Sequence, residues 1–303
     1  MKKKQEILGF IYILLGVLIF AGTVPFTKMA LQSFTPVQIG TLRVLIGGSL
    51  SLAFIIKKSK VSLLWQESGT IWKASLGMGL FPLLLSISLG GLPASFGSVA
   101  LGLIPLGASL FAIFVLGEKV KSNFLFFAGL GSSTVIVYSF TALNSITYHL
   151  PLIFVAIGIV SVGYSYGAQL SRKSSGPVAV SLANIFVLPF AIVGYFFLDL
   201  PNLSELEITS VIGIAYLSIM SQFLGFFPFY SGLAKVGTAK GVQVQLLQPT
   251  FTLILSYFLI GAELSVLDFI VSFIVVGMVY FANRKDVATD NVEKAKDMAI
   301  VNS

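Results

Sequence analysis

The sequence predicts an all-α integral membrane protein: ten transmembrane helices in two inverted five-helix repeats, with both termini in the cytoplasm. Three observations lead to this fold class, namely the composition, the number of apolar segments and the placement of the cations. The 303 residues are 56% hydrophobic and 10% charged, with a mean hydropathy of +0.96. Soluble domains average about 25% charged residues, so an ordinary soluble fold is excluded.

Ten apolar segments follow one another along the chain, and each suits a helix that crosses a hydrocarbon core about 30 Å thick. Short connectors with turn-forming residues separate them. The predicted spans are residues 7–31, 37–56, 71–91, 95–116, 123–141, 151–170, 178–198, 209–232, 240–260 and 265–283. The polar, charged tail, residues 284–303, is predicted to be a cytoplasmic extension.

The cations set the orientation. Of the 19 Lys and Arg residues, all except Lys28 and Arg43 lie in the terminal segments and in alternate connectors on the same side as the N-terminus. Positive residues stay in the cytoplasm, so both termini are expected inside. With five spans in each repeat, the second repeat must be inverted relative to the first. Inverted repeats are typical of transporters, which bind substrate near the midplane.

The repeat itself is visible in the residues of the fourth and ninth spans. At an offset of 144, five pairs are identical: Gly97 and Gly241, Leu103 and Leu247, Pro105 and Pro249, Phe114 and Phe258, Gly117 and Gly261. At an offset of 141, Gly22, Ser33, Pro36 and Val37 fall on Gly163, Ser174, Pro177 and Val178. The chain is therefore divided into a first repeat, 1–145, a second, inverted repeat, 146–283, and the tail.

Several kinds of site are excluded by what the sequence lacks. There is no cysteine for a thiolate metal site, and the single histidine, His149, is predicted to be solvated in a connector. All 12 acids lie in connectors, tails or span ends, so carboxylate proton relays are poorly supplied. No catalytic residue, metal site or cofactor is expected. The net charge of +7 follows from topology, so no nucleic-acid partner is expected.

Lys28 and Arg43 lie inside predicted spans, where charge is costly and by default marks function. Arg43 lies about 10 Å below the outer start of its helix at 1.5 Å per residue, whereas Lys28 is near a helix end and could snorkel outward. We predict that both bind substrate; the alternative is a structural bond from Arg43 to helix-end carbonyls. The second repeat has Gln169 and Asn184 at these positions, and both are included as candidates.

Polar and aromatic side chains recur on one face of three further spans. They are Tyr164 and Gln169 on the sixth, Gln222, Phe226 and Tyr230 on the eighth, and Gln245 and Gln248 on the ninth. Amides in hydrocarbon need partners, so these faces either line a substrate cavity or hold helices together. Small residues on the fourth span, including Ser95 and Gly102, favour a close-packing seam. Pro25, Pro105 and Pro249 are predicted hinges.

The chain also resembles a known family. The segments 20–28 and 241–249, Arg43 and the two helices that run from a proline to a Gly and Glu exit are similar to the drug/metabolite transporter superfamily, in its EamA branch of ten-span carriers. The similarity extends to about residue 283. It implies an inner-membrane carrier with a central cavity that exports amino acids, related metabolites or toxic analogues.

We therefore predict a secondary transporter.

 The predicted transporter carries a small polar or amphipathic metabolite, such as an amino acid or related compound, outward by alternating access. The expected partners are this substrate and the bilayer of the bacterial inner membrane, with a monomeric chain and a homodimer as the alternative. The rival functions are a channel, which lacks a charged ring or filter motif, and a lipid-modifying membrane enzyme, which lacks intramembrane acid–base residues. No enzymatic activity is expected.

Overall fold

The computed structural model describes residues 2–114, 122–142, 147–236 and 241–283, and all regular structure in these residues is helical. Six helical stretches have the length and apolar composition to cross a membrane: Lys4–Ala30, Pro36–Lys57, Ser68–Gly91, His149–Lys173, Gly176–Tyr195 and Ile208–Val236. Four shorter apolar stretches, Ala94–Ala108, Gly129–Tyr138, Val244–Ile260 and Val266–Met278, fall at the other predicted spans. The all-helical membrane class is confirmed, while the count of ten spans and their orientation stay predictions.

The helices follow the predicted spans closely, with several spans made of two pieces. In the first half they are α1 (Lys2–Ala21), α2 (Thr23–Ala30), α3 (Pro36–Lys57), α4 (Leu63–Gln66), α5 (Ser68–Gly91), α6 (Ala94–Leu101), α7 (Ile104–Phe114) and α8 (Ser122–Ala142). In the second half they are α9 (His149–Lys173), α10 (Gly176–Tyr195), α11 (Ile208–Ala215), α12 (Phe226–Val236), α13 (Gln248–Ile260) and α14 (Val266–Asn283). A π-helical segment, Tyr216–Leu224, joins α11 to α12, and a 3₁₀ segment, Val242–Leu247, precedes α13.

The three predicted hinge prolines coincide with interruptions of the helices. Gly22 separates α1 from α2 three residues before Pro25, and Pro105 is the second residue of α7 after the break from α6. Pro249 is the second residue of α13, where the 3₁₀ segment ends. Proline has no amide hydrogen and clashes with the carbonyl of the preceding turn, which explains the breaks. Their movement during transport stays a prediction.

Glycines allow two very close helix contacts. A Cβ atom on Gly163 of α9 would lie 2.6 Å from the Cα of Gly77 in α5. A Cβ on Gly102 would lie 2.8 Å from the Cγ of Pro249, so the broken fourth and ninth spans meet at their breaks. The predicted seam is therefore found at Gly102, whereas Ser95 borders a cavity near the opposite end of α6.

Connectors predicted on one side of the membrane meet at one end of the helices. Lys173 forms a 2.7 Å ion pair with Glu67, joining two connectors predicted to be cytoplasmic. Among those predicted to be outside, the amide of Glu207 donates to the hydroxyl of Ser33 at 3.0 Å. The helix contacts thus agree with the alternation of sides that the cations predict.

The prediction for His149 is wrong. The residue is half-buried, and its Nδ1 lies 2.9 Å from the carbonyl oxygen of Ile87. The reason is that His149 is the first residue of α9 and not part of a connector. This position packs the imidazole ring against Gly91, the last residue of α5.

The topology can be tested with single cysteines, since the chain has none of its own. We expect Asn202→Cys to react with a membrane-impermeant maleimide in intact cells, and Lys58→Cys to react only after the cells are permeabilised. Both positions are exposed, so a difference in labelling reports the side of the membrane. Labelling of Lys58→Cys in intact cells would refute the predicted orientation.

The contact between α5 and α9 gives a second prediction. Gly163→Ala should destabilise the protein by about 1–3 kcal/mol, because the new methyl group meets backbone that cannot rotate away. The matched control is Gly158→Ala in the same helix, where no atom lies within 4 Å of the added Cβ. The measurement is the Tm of each detergent-purified variant, and equal Tm values for the two would contradict this account of the packing.

Candidate functional site

Arg43 lies in the interior of the protein, where only 2% of the residue is exposed. Its Nε donates to Oε1 of Gln222 at 2.8 Å, and its Nη2 donates to the hydroxyl of Ser221 at 2.9 Å. Both partners are neutral side chains, and the alternative of helix-end carbonyls is not what holds this guanidinium. The third nitrogen, Nη1, is buried without a hydrogen-bond partner among the described residues.

Gln222 fixes Arg43 because its own amide is fully engaged. Its Nε2 donates to the carbonyl of Met78 at 2.6 Å and to Oδ1 of Asn184 at 2.9 Å. Asn184 in turn donates to the hydroxyl of Ser51 at 3.2 Å and to the carbonyl of Gln222 at 3.1 Å. These bonds join α3, α5, α10 and the π-helical segment. Gln222 and Asn184 therefore act as interhelical supports that orient Arg43.

The π-helical segment explains how Ser221 and Gln222 reach the same guanidinium. At its end the amide of Gly225 donates to the carbonyl of Met220, five residues back, at 2.6 Å. Pro228 follows in the first turn of α12 and has no amide hydrogen to continue a regular helix. π-Helical segments are rare in proteins, and those that occur are often found at functional sites. Sequence spacing alone did not reveal it.

A small cavity of about 20 Å³ lies beside Arg43. Its walls include four of the predicted site residues and two hydroxyl groups: Arg43, Tyr164, Phe226, Gln248, Thr23 and Ser221. A volume of this size holds about one water molecule. The centre of the protein is therefore occluded in this structure.

A second pair of amides, Gln245 and Gln248, lies next to this cavity, and Gln248 lines it. Gln245 donates from Nε2 to the hydroxyl of Tyr164 at 3.2 Å and to Oε1 of Gln248 at 3.3 Å. Gln248 donates to the carbonyl of Phe20 at 3.4 Å. The Oε1 atom of Gln245 is buried and has no partner among the described residues. The amide with the unpaired acceptor is thus hydrogen-bonded to Tyr164, which lines the same cavity as Arg43 with its unpaired donor.

Aromatic rings close the cavity toward α12. The ring of Phe226 lies 4.6 Å from that of Phe20 and 6.0 Å from that of Tyr164, between centroids. Tyr230 packs behind Phe226 at 5.2 Å, and its hydroxyl donates to the carbonyl of Gly163 at 3.3 Å. Tyr230 is therefore a supporting residue one layer away from the cavity.

Two predicted site residues lie outside this cluster. Lys28 donates to the carbonyl of Leu89 at 2.5 Å, near the end of α5, and faces a different cavity. Gln169 is half-buried, five residues beyond Tyr164 toward the end of α9, and does not line the central cavity. The bond to a helix-end carbonyl, proposed as the alternative for Arg43, is thus made by Lys28.

Asp268 is a buried acid that the sequence interpretation did not single out. Only 5% of the residue is exposed, and it accepts a hydrogen bond from the hydroxyl of Tyr138. Its Oδ2 also accepts from the amide of Ser265 at 2.8 Å, at the start of α14. The spacing of Ser265 and Asp268 fits a capping box, which is a signal that could have found it. The contact with Tyr138 comes from a distant span and has no such signal.

Comparisons with known proteins agree with this architecture. A family model described as the EamA-like transporter family matches residues 7–140 and again residues 147–284. A protein of Bacillus subtilis (strain 168), named "Uncharacterized transporter YdeK", is 30% identical over 260 residues, which cover 82% of this chain and 87% of that protein. An "Uncharacterized transporter" of Archaeoglobus fulgidus is 24% identical over 288 residues, covering 89% and 96%.

A solved crystal structure shares the fold, with a TM-score of 0.61 at 21% identity over 93% of this chain and 97% of that one. The family model covers nearly all of the described residues in two matches. The chain belongs to the EamA-like transporter family.

Proposed function

We propose that this protein is a secondary transporter that exports a small metabolite with an anionic group across the bacterial inner membrane by alternating access. Family membership supports transport. The substrate class follows from the centre of the protein, where a cation, amides and aromatic rings converge. An amino acid or a related amphipathic compound with a carboxylate has the matching groups.

The observation that carries this proposal is the unpaired Nη1 of Arg43. A buried charge without a counter-charge is costly, and the described partners of Arg43 are an amide and a hydroxyl. An anionic group on a ligand would supply the missing charge and two-pronged hydrogen bonding. Because Gln222 already holds Nε, the guanidinium is oriented before the ligand arrives.

The unpaired Oε1 of Gln245 supports a donor group on the same ligand. Tyr164 lines the cavity with Arg43 and accepts a hydrogen bond from Gln245, so this tyrosine connects the two residues that have unpaired atoms. A compound with both an acceptor and a donor, such as a carboxylate and an amine, would satisfy both. Buried polar atoms are normally hydrogen-bonded, and this supports a ligand with these two groups.

Entry of such a ligand requires the walls to move, because the cavity is about 20 Å³. Three wall residues stand at helix ends: Thr23 begins α2, Leu101 ends α6 and Gln248 begins α13. The breaks next to Pro25, Pro105 and Pro249 therefore border the substrate position. Bending at these breaks would widen the cavity on one side at a time, as alternating access between inverted repeats requires.

The role of Arg43 gives a testable prediction. Arg43→Gln should weaken binding of an anionic substrate roughly 10- to 150-fold, because a charge-assisted hydrogen bond contributes about 1.5–3 kcal/mol. Arg43→Lys should recover part of the affinity, since the charge remains and the planar fork is lost. Substrates are identified by thermal shift of purified protein with amino acids and with their carboxamides, which lack the carboxylate charge. Their transport is then measured by saturable counterflow in liposomes.

The amides serve as the control for charge. If Arg43→Gln weakens the binding of an amino acid and of its carboxamide equally, Arg43 has a structural or gating role and the anionic substrate is refuted. A flux that does not saturate with substrate concentration, together with the absence of counterflow, would indicate a channel and not a carrier. The Tm of each variant without ligand shows whether the fold is intact.

A matched pair of tyrosines tests the position of the cavity. Tyr164→Phe and Tyr230→Phe each remove one buried hydroxyl, but only Tyr164 lines the cavity. Tyr164→Phe should lower affinity roughly 2- to 10-fold, which corresponds to one hydrogen bond of about 0.5–1.5 kcal/mol, with a Tm close to that of Tyr230→Phe. Equal effects on binding and transport in the two variants would show that the cavity has been misplaced.

A further inference from the structure

A second and much larger cavity lies at the end of the helices that is predicted to be outside. Its volume is about 600 Å³, and residues of α2, α6, α8 and the loop before α14 line it. The side chains that can bind a ligand are Lys28, Ser95, Tyr138, Glu263 and Asp268. This outer cavity is separate from the one beside Arg43, and the proposed mechanism does not use it.

Charges of both signs face the outer cavity without pairing to each other. Lys28 bonds to the neutral carbonyl of Leu89, which engages one of the three donors of its ammonium group. Asp268 is bonded to Tyr138 and Ser265 and retains acceptor capacity, since a carboxylate has about four acceptor positions. Glu263 is exposed. No ion pair joins Lys28 to either acid in the described part of the chain.

We propose that the outer cavity is a second ligand site, which binds a zwitterionic metabolite. Lys28 takes the carboxylate of the ligand, Asp268 takes its ammonium group, and Glu263 attracts the ammonium group at the rim. A ligand with only one charge would leave one of these groups unmatched. A bipolar compound satisfies both ends, which gives the site a selectivity that a single cation cannot provide.

The outer cavity adjoins the central one along two helices. On α2, Thr23 of the central cavity and Lys28 are five residues apart, about 7.5 Å at 1.5 Å per residue. On α6, Gly97 lies between Ser95 of the outer cavity and Leu101 of the central one, and a Cβ added to it would be 2.5 Å from Cδ2 of Leu89. If the substrate occupies the outer cavity during transport, that role rests on the proposed function. The binding of a ligand in the outer cavity does not depend on the proposed function.

The experiment uses a cysteine placed in the cavity, with detergent-purified protein so that both faces are accessible. Ala262→Cys lines the outer cavity, and its reaction rate with a methanethiosulfonate reagent is measured against added ligand. The probes are linear amino acids from glycine to 6-aminohexanoate, with alkylamines and alkyl carboxylates of equal length. Ser204→Cys, an exposed position outside the cavity, is the control for direct effects on the reagent.

We expect one or more of the amino acids to protect Ala262→Cys, and the single-charge compounds to protect at least 10-fold less well. Adding Lys28→Gln or Asp268→Asn should raise the half-protecting concentration about 10-fold, whereas adding Arg43→Gln should leave it unchanged. Asn retains one acceptor oxygen for the helix cap, and Glu263→Gln tests the acidic side independently if Asp268→Asn does not fold.

Three outcomes would overturn the site: no protection by any amino acid, equal protection by single-charge compounds, or protection that both cavity substitutions leave intact. Protection that is lost in Arg43→Gln but kept in Lys28→Gln would place the ligand at the centre. That result would refute the outer site and leave the proposed function standing. Conversely, protection through Lys28 and Asp268 without any transport would support the outer site alone.

Discussion

The burial of one guanidinium is the constraint on which the interior depends. Arg43 is held by Gln222 and Ser221, and those residues reach it because the eighth span widens into a π-helical segment. Asn184 and the carbonyl of Met78 then satisfy the amide of Gln222. Neutral dipoles thus stabilise a charge that a resident carboxylate would neutralise. An acid at this position would compete with an anionic ligand, so the neutral support leaves the cation available.

The parts of the fold that were predictable depend on local rules. Apolar length indicates a span, and a proline within a span interrupts the helix at a position its geometry dictates. Helix breaks lie near Pro25, Pro105 and Pro249, and the role of these prolines as hinges stays a prediction. Pro82 and Pro189 show the limit of this rule, since α5 and α10 continue through them. Neighbouring helices decide whether a proline ends a helix, and a sequence pattern does not contain those neighbours.

The parts that were missed depend on contacts between distant segments. Lys28 and Arg43 were grouped because both are cations in spans, yet one bonds to the end of α5 and the other to the π-helical segment. Asp268 looks like an ordinary helix cap until Tyr138, 130 residues away, is placed on it. Polar stripes correctly identified the buried faces. Whether a stripe lines a cavity or supports a neighbour is decided by what packs opposite, as Gln248 and Gln222 show.

The helix breaks are the positions at which the proposed transport cycle would bend the helices. Residues at each break line the cavity beside Arg43, so the proposed cycle would tilt the segments on either side about these residues. On the outer side, α2 carries Lys28, and α6 carries Ser95; on the inner side, α1 and α7 continue from the same breaks. Tilting α6 away from α2 and α5 would separate Gly97 from Leu89 of α5 and join the outer cavity to the centre. The inner segments need not move in that step, and independent movement of the two sides is the condition that alternating access imposes.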